Sequence, residues 1–158
     1  MSGQSTELRQ QTQADVTALA VRLGDVLRPG MSVLLSGPVG AGKSHLARSL
    51  IRSILSEPED VPSPTFTIVQ TYETDKGDLW HVDLYRLSSL SEIEELGLTE
   101  ALDHDICIIE WPDRLGPFHP KHALEIGLQQ AARDDTRDIT LSSTDPAWQE
   151  AIGDLICD

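Results

Sequence analysis

The chain of 158 residues is 39% apolar and 24% charged, ordinary values for a globular protein and enough for one domain with its own core. Its 12 Lys and Arg against 26 Asp and Glu give a formal charge of −14; a field of that sign repels phosphate backbones and argues against tight nucleic-acid binding by this chain alone. No apolar run approaches the ~18 residues of a membrane span, and residues 1–12 lack the basic-then-apolar layout of a secretion signal, so the expected setting is the cytoplasm, with no membrane.

Residues 1–11 read as a flexible N-terminus and residues 12–158 as a single domain. Val16, Leu19, Ala20, Leu23, Val26 and Leu27 recur at helical spacing, predicting a covering helix over 13–27 that Arg28-Pro29-Gly30 ends. Residues 31–36, Met-Ser-Val-Leu-Leu-Ser, predict a short buried strand. Residues 37–44 then read Gly-Pro-Val-Gly-Ala-Gly-Lys-Ser, which fits the phosphate-loop pattern G-x-x-x-x-G-K-[ST]. Glycines there let successive N–H groups face one concavity, Lys43 adds a mobile positive charge, and Ser44 offers a hydroxyl to Mg²⁺. Leu46, Ala47, Leu50, Ile51, Ile54 and Leu55 supply the helix that the motif requires next, its positive end toward the anion.

Further along, the Pro- and acid-rich stretch 56–64 predicts a loop. Strands are expected at 65–73 and 79–87, joined by turn residues 74–78 as an antiparallel hairpin. That pairing makes the sheet mixed, since a parallel pair would need a crossover helix. Ser91 with Glu94 reads as a capping box for a short helix over 91–96 that Gly97 stops, followed by another turn at 99–102. An apolar strand over 106–111 carries Glu110 at its end. Residues 114–122 predict a loop; 123–129 and 136–142 predict two strands. Thr144 or Asp145 caps a last helix with Pro146 in its first turn and Trp148, Ile152, Leu155 and Ile156 on its packing face. Cys107 reads as a reduced core residue, and Cys107 with Cys157 makes no disulfide or metal framework.

A phosphate loop needs acids that hold the metal and position water, usually at the end of a strand beside it. Asp83, after Leu79-Trp-His-Val82, and Glu110, after Ile106-Cys-Ile-Ile109, are the two candidates. Ser63-Pro64-Thr65-Phe66 is a candidate switch segment in which Thr65 faces the γ-phosphate side. His81 and Trp111 flank the acids; His81 reads as a packing or hydrogen-bonding residue and Trp111 as a core or interface residue rather than a base-stacking platform, and His45, His104, His119 and His122 show no metal-ligand spacing. The chain contains no asparagine, so a guanine-reading Asn-Lys-x-Asp element cannot exist, which favours ATP over GTP.

In order, the 37–44 loop, Ser63-Pro64-Thr65-Phe66, His81-Val-Asp83-Leu-Tyr85-Arg86-Leu87, Glu95-Leu-Gly97 and Ile109-Glu110-Trp111-Pro112 resemble the TsaE (YjeE) family. These are small bacterial ATPases of tRNA threonylcarbamoyladenosine synthesis. The resemblance covers residues 12–142 and implies an α/β P-loop NTPase fold, three-layer α/β/α with a mixed parallel and antiparallel sheet. It implies ATP and Mg²⁺ as ligands and an assembly with TsaD and TsaB, tRNA being met only indirectly through that complex. Residue by residue it implies nucleotide contacts from Gly37, Val39, Gly40, Ala41, Gly42, Lys43, Ser44 and His45, from Arg137, and from the start of the first helix near Thr12. Ser44, Glu110 and Asp83 are the implied metal site; Glu110 also orients water, and Thr65 is the implied switch threonine. Pro38 departs from the family's usual loop by removing one N–H donor. No arginine finger is evident, so hydrolysis by the isolated chain is expected to be slow. Two other readings use the same loop: a small-molecule kinase with residues 133–137 as its lid, and a nucleotide-gated binding module that needs no hydrolysis.

Overall fold

Continuous apolar runs and alternating ones sort the strands into a buried middle and paired edges. The computed structural model describes residues 4–38, 41–61, 69–87 and 89–156. In chain order these form β1 (Gln4–Gln11), α1 (Gln13–Val26), β2 (Ser32–Ser36), α2 (Lys43–Ile54), β3 (Val69–Thr74), β4 (Gly77–Asp83), α3 (Ser91–Glu95), α4 (Leu98–His104), β5 (Ile106–Glu110), a 3-10 segment (Pro112–Phe118), β6 (Leu124–Gln130), β7 (Arg137–Ser143) and α5 (Pro146–Ile156).

Among the described residues the sheet has seven strands in the order β1-β7-β6-β2-β5-β4-β3. β2 pairs in parallel with both β5 and β6, and β4 in parallel with β5. The runs Val33-Leu34-Leu35 and Ile106-Cys-Ile-Ile109 are buried on both faces, as strands in the parallel middle of a sheet must be. β3 pairs antiparallel with β4, β7 with β6, and β1 with β7, so the expected mixed sheet and 74–78 hairpin are present.

Two apolar layers cover the sheet. Val33, Leu35, Ile106 and Ile108 pack with residues of α1, α2 and α5, including Leu23, Leu46, Leu50 and Trp148. Leu34, Cys107 and Ile109 face the other way, against Ile93 of α3 and Leu98 and Ala101 of α4. The result is three layers, α/β/α. Cys107 is fully buried, and burial pushes its thiol up to about 12, which makes it an inert core residue.

Four local expectations need correction. Residues 4–11 are not flexible: they form an edge strand held by β7 through main-chain pairing, with Leu8 packed on the core. Their polar sequence hid this, because a hydropathy pattern does not report backbone pairing. β4 ends at Asp83 rather than at 87; the Asp83 carboxylate accepts the Tyr85 N–H at 3.0 Å and Leu84 N–H bonds to the Glu110 carbonyl, which turns the chain. The capping box at Ser91 does not form. Leu90 is already helical and occupies the cap position, and Ser91 instead pairs with Ser89. Residues 114–122 are partly a 3-10 segment, kinked at Gly116. For α5 the capping side chain is Asp145, which accepts the Ala147 N–H at 2.9 Å. The expected strand residues 65–68 lie outside the described residues.

Candidate functional site

The parallel strands β2, β5 and β4 end on the same edge of the sheet, where a crevice for ligands forms in open α/β folds. β2 runs into the glycine loop. Gly37 takes φ 140°, and a Cβ there would collide with the Leu128 carbonyl of β6, so the loop can leave β2 this closely only with glycine. Ala41 N–H closes a turn on the Pro38 carbonyl at 3.1 Å. Gly42, φ 103°, is the N-cap of α2 and brings no side-chain cap. The first turn of α2 therefore keeps N–H groups free of capping side chains, as an anion site requires. Val39 and Gly40 of this loop, and Thr65 of the switch candidate, lie outside the described residues.

Lys43 is the first residue of α2 and is 6% exposed. Its ammonium donates to the Gly37 carbonyl at 2.6 Å and lies 3.7 Å from the centroid of the Trp111 ring. Burial lowers its pKa, and the carboxylates of Glu110, Asp83 and Asp113 oppose that shift. The charges of all three acids thus reach the loop lysine. Ser44, in the same first turn, is half-buried.

Asp83 and Glu110 are register partners on adjacent parallel strands, so the structure brings the two predicted acids side by side. Side chains alternate along a strand: with Leu79 in the core layer under α2 and Val82 in the opposite one, His81 and Asp83 face the α2 side, as does Glu110 after Ile106 and Ile108. Desolvation raises the Asp83 pKa; the Tyr85 N–H opposes this, and the neighbouring Glu110 charge adds to it. Glu110 is 2% exposed, and its Oε2 accepts a hydrogen bond at 2.8 Å from His81 Nε2.

The other predicted residues lie around the loop. Arg137, in β7, presses its guanidinium against Gly42, where an added Cβ would meet it; its Nε is buried without a hydrogen-bond partner among the described residues. His45 Nε2 lies 2.9 Å from Thr17 Oγ1 and its Nδ1 3.4 Å from Gln13 Nε2. Because the Thr17 hydroxyl also donates to the Gln13 carbonyl, the His45 proton belongs on Nε2. Burial lowers the His45 pKa, and the contacts tie the start of α1 to the start of α2. Thr12 is engaged as the N-cap of α1: its hydroxyl accepts from Asp15 N–H and its own N–H bonds the Asp15 carboxylate.

Sequence reasoning did not give Trp111 its place. The residue takes φ 60°, a left-handed conformation that costs an L-residue about 1–2 kcal/mol, and this turn after Glu110 lays the indole over Lys43. Tyr85, half-exposed, packs against the Trp111 ring at 4.9 Å between centroids, tilted by 45°. The one available signal was Trp directly after the strand-end acid.

A family model described as "Threonylcarbamoyl adenosine biosynthesis protein TsaE" matches residues 10–139. The chain is 38% identical to the tRNA threonylcarbamoyladenosine biosynthesis protein TsaE of Rickettsia felis over 117 residues, 74% of this chain and 68% of that protein. It is 34% identical to the protein of the same name from Treponema pallidum over 121 residues, 76% of this chain and 87% of the relative. Among solved structures, the crystal structure of Bacillus subtilus YdiB superposes with a TM-score of 0.76 at 24% identity, covering 98% of this chain and 96% of that one. The fold is that of a P-loop NTPase. Among the described residues no helix is long and apolar enough to cross a membrane.

Proposed function

We propose, since this chain belongs to the TsaE family of threonylcarbamoyl adenosine biosynthesis proteins, that it is a magnesium-dependent ATPase supporting tRNA threonylcarbamoylation in the cytoplasm, in a complex with TsaD and TsaB. The charge of −14 works against a direct encounter with tRNA, which the complex would supply. The observation that carries the reading is the convergence of one ammonium and two strand-end carboxylates on an uncapped, glycine-led helix start.

These residues fit a magnesium-complexed triphosphate. Ser44, Asp83 and Glu110 would hold the ion, which when bound neutralises phosphate charge. Among the described residues no three His, Cys, Asp or Glu side chains form a group able to hold a metal alone; this suits an ion that draws part of its shell from phosphate and water. The desolvated Asp83 carboxylate is better matched by a cation than by water. Lys43, already at the loop, exchanges the Gly37 carbonyl for a phosphate oxygen. Glu110 orients the attacking water. Turnover by the chain alone is slow, with TsaD and TsaB completing the site.

The test is reconstituted tRNA modification with TsaD and TsaB. Repeated turnover should require this chain and fail with Lys43→Ala. Full modification without the chain, or with Lys43→Ala, would overturn the reading.

A further inference from the structure

The buried hydrogen bond between His81 and Glu110 goes beyond what the phosphate loop and its acids require. His81 and Glu110 are 1% and 2% exposed, on the neighbouring strands β4 and β5, and join at 2.8 Å through His81 Nε2 and Glu110 Oε2. In register His81 faces Ile108, while Glu110 faces Asp83. Glu110 therefore leans back along the sheet to reach the imidazole instead of lying straight across from the second acid. A carboxylate acts as an acceptor, so the shared proton sits on His81 Nε2; Nδ1 has no hydrogen-bond partner among the described residues.

Two polar side chains this deep gain nothing over an apolar pair if stability alone is at stake. The arrangement does achieve one thing an apolar pair cannot. The like charge of Asp83 pushes on Glu110, and a donor at Oε2 fixes the carboxylate against that push. It leaves Oε1 as the oxygen His81 does not engage. We propose that His81 is a positioning residue: its Nε2–H holds Oε2 of Glu110 so that the remaining oxygen is presented to water and metal in one orientation. The proposal rests on the ATPase reading above.

The test compares His81→Gln, whose side-chain amide can place an N–H near the position of Nε2, with His81→Leu, which cannot donate. Single-turnover hydrolysis with the full chain in excess over ATP reads the chemical step, and equilibrium titration with ATP reads binding. His81→Leu should lower the hydrolysis rate about 10- to 100-fold, the usual effect of losing a partner that orients a metal ligand, while ATP affinity changes less than about threefold. His81→Gln should recover most of the rate. In a Glu110→Ala background, His81→Leu should lower the rate no further.

A readout without metal or nucleotide accompanies these. The buried imidazole N–H should give a slowly exchanging proton resonance in the ligand-free protein, lost in His81→Leu and, in a variant whose thermal unfolding stays cooperative, in Glu110→Ala. Loss of stability in His81→Leu with an unchanged hydrolysis rate would overturn the positioning role while leaving the ATPase reading intact. Absence of hydrolysis in the wild type even with TsaD and TsaB added, with the resonance present, would overturn the ATPase reading, and with it the role given to His81, but not the hydrogen bond.

Discussion

The Lys43 ammonium lies against the Trp111 ring, 3.7 Å from its centroid. A cation over an indole face gains about 0.5–2 kcal/mol, more as water is excluded, so the contact gives the lysine of the ligand-free loop a defined seat. Phosphate oxygens compete for the same ammonium. Binding of ATP should therefore change the environment of Trp111 while Trp148, fully buried under the sheet, is unaffected. Tryptophan emission should respond to ATP in the wild type and lose that response in Trp111→Phe. A wild-type response that survives undiminished in Trp111→Phe, and so arises at Trp80 or Trp148, would contradict a change at the Trp111 seat.

Removing the ammonium tests the same residue from the ligand's side. Charge-assisted hydrogen bonds contribute about 1.5–3 kcal/mol, so Lys43→Ala should weaken ATP binding by roughly 10- to 100-fold. Equilibrium dialysis or calorimetry reads this directly; affinity within threefold of wild type would place the phosphates elsewhere.

Asp83 makes a prediction about pH. Desolvation raises its pKa in the folded protein, so the native state binds this proton more readily than the unfolded chain does. The ionised carboxylate then costs stability. That cost is absent below the ordinary Asp range, grows as pH rises from there to the folded value, and is complete above it. Asp83→Asn keeps the acceptor for Tyr85 N–H and removes the charge. Its melting temperature should exceed that of the wild type at neutral pH, with the gap closing on acidification, while hydrolysis is lost. A less stable Asp83→Asn at neutral pH would contradict the desolvation argument.

The two loop glycines should respond unequally to alanine. At Gly37 the added Cβ meets the Leu128 backbone carbonyl, which cannot yield; at Gly42 it meets the end of the Arg137 side chain, which can. Both have positive φ. Gly37→Ala should lose about 3 kcal/mol or more, from backbone strain plus overpacking. Gly42→Ala should lose about 1–2 kcal/mol, mainly from its φ. Chemical denaturation of the two variants checks the order, and equal losses would mean that Arg137 is not free to move.

Where the sequence was legible, each residue type answered a local demand. The glycines and Lys-Ser of 37–44, the turn residues of 74–78 and the strand-end position of Asp83 and Glu110 announced the loop, the hairpin and the two acids that the register of β4 and β5 brings side by side. The edge strand β1 escaped because its stability lies in main-chain bonds to β7, and Leu8 alone gives a hydropathy cue. Ser91 misled because a capping box is a local pattern, and Leu90 in helical geometry had already moved the cap. Trp111 and His81 were visible beside the acids, but the roles of both depend on contacts across the sheet: an indole turned by a left-handed backbone onto Lys43, and an imidazole reaching one strand over to Glu110. Pattern along the chain carries neither.

The central claim is that Glu110 acts on water at a phosphate site that Lys43 and the loop build without it. The most direct measurement is paired ATP binding and single-turnover hydrolysis for Glu110→Gln, in magnesium, beside the wild type. The account predicts that Glu110→Gln binds ATP within about threefold of wild type while hydrolysis falls by at least about 100-fold, a loss of roughly 2.7 kcal/mol of transition-state stabilisation. Hydrolysis that persists in Glu110→Gln, or binding that disappears together with it, would contradict the account.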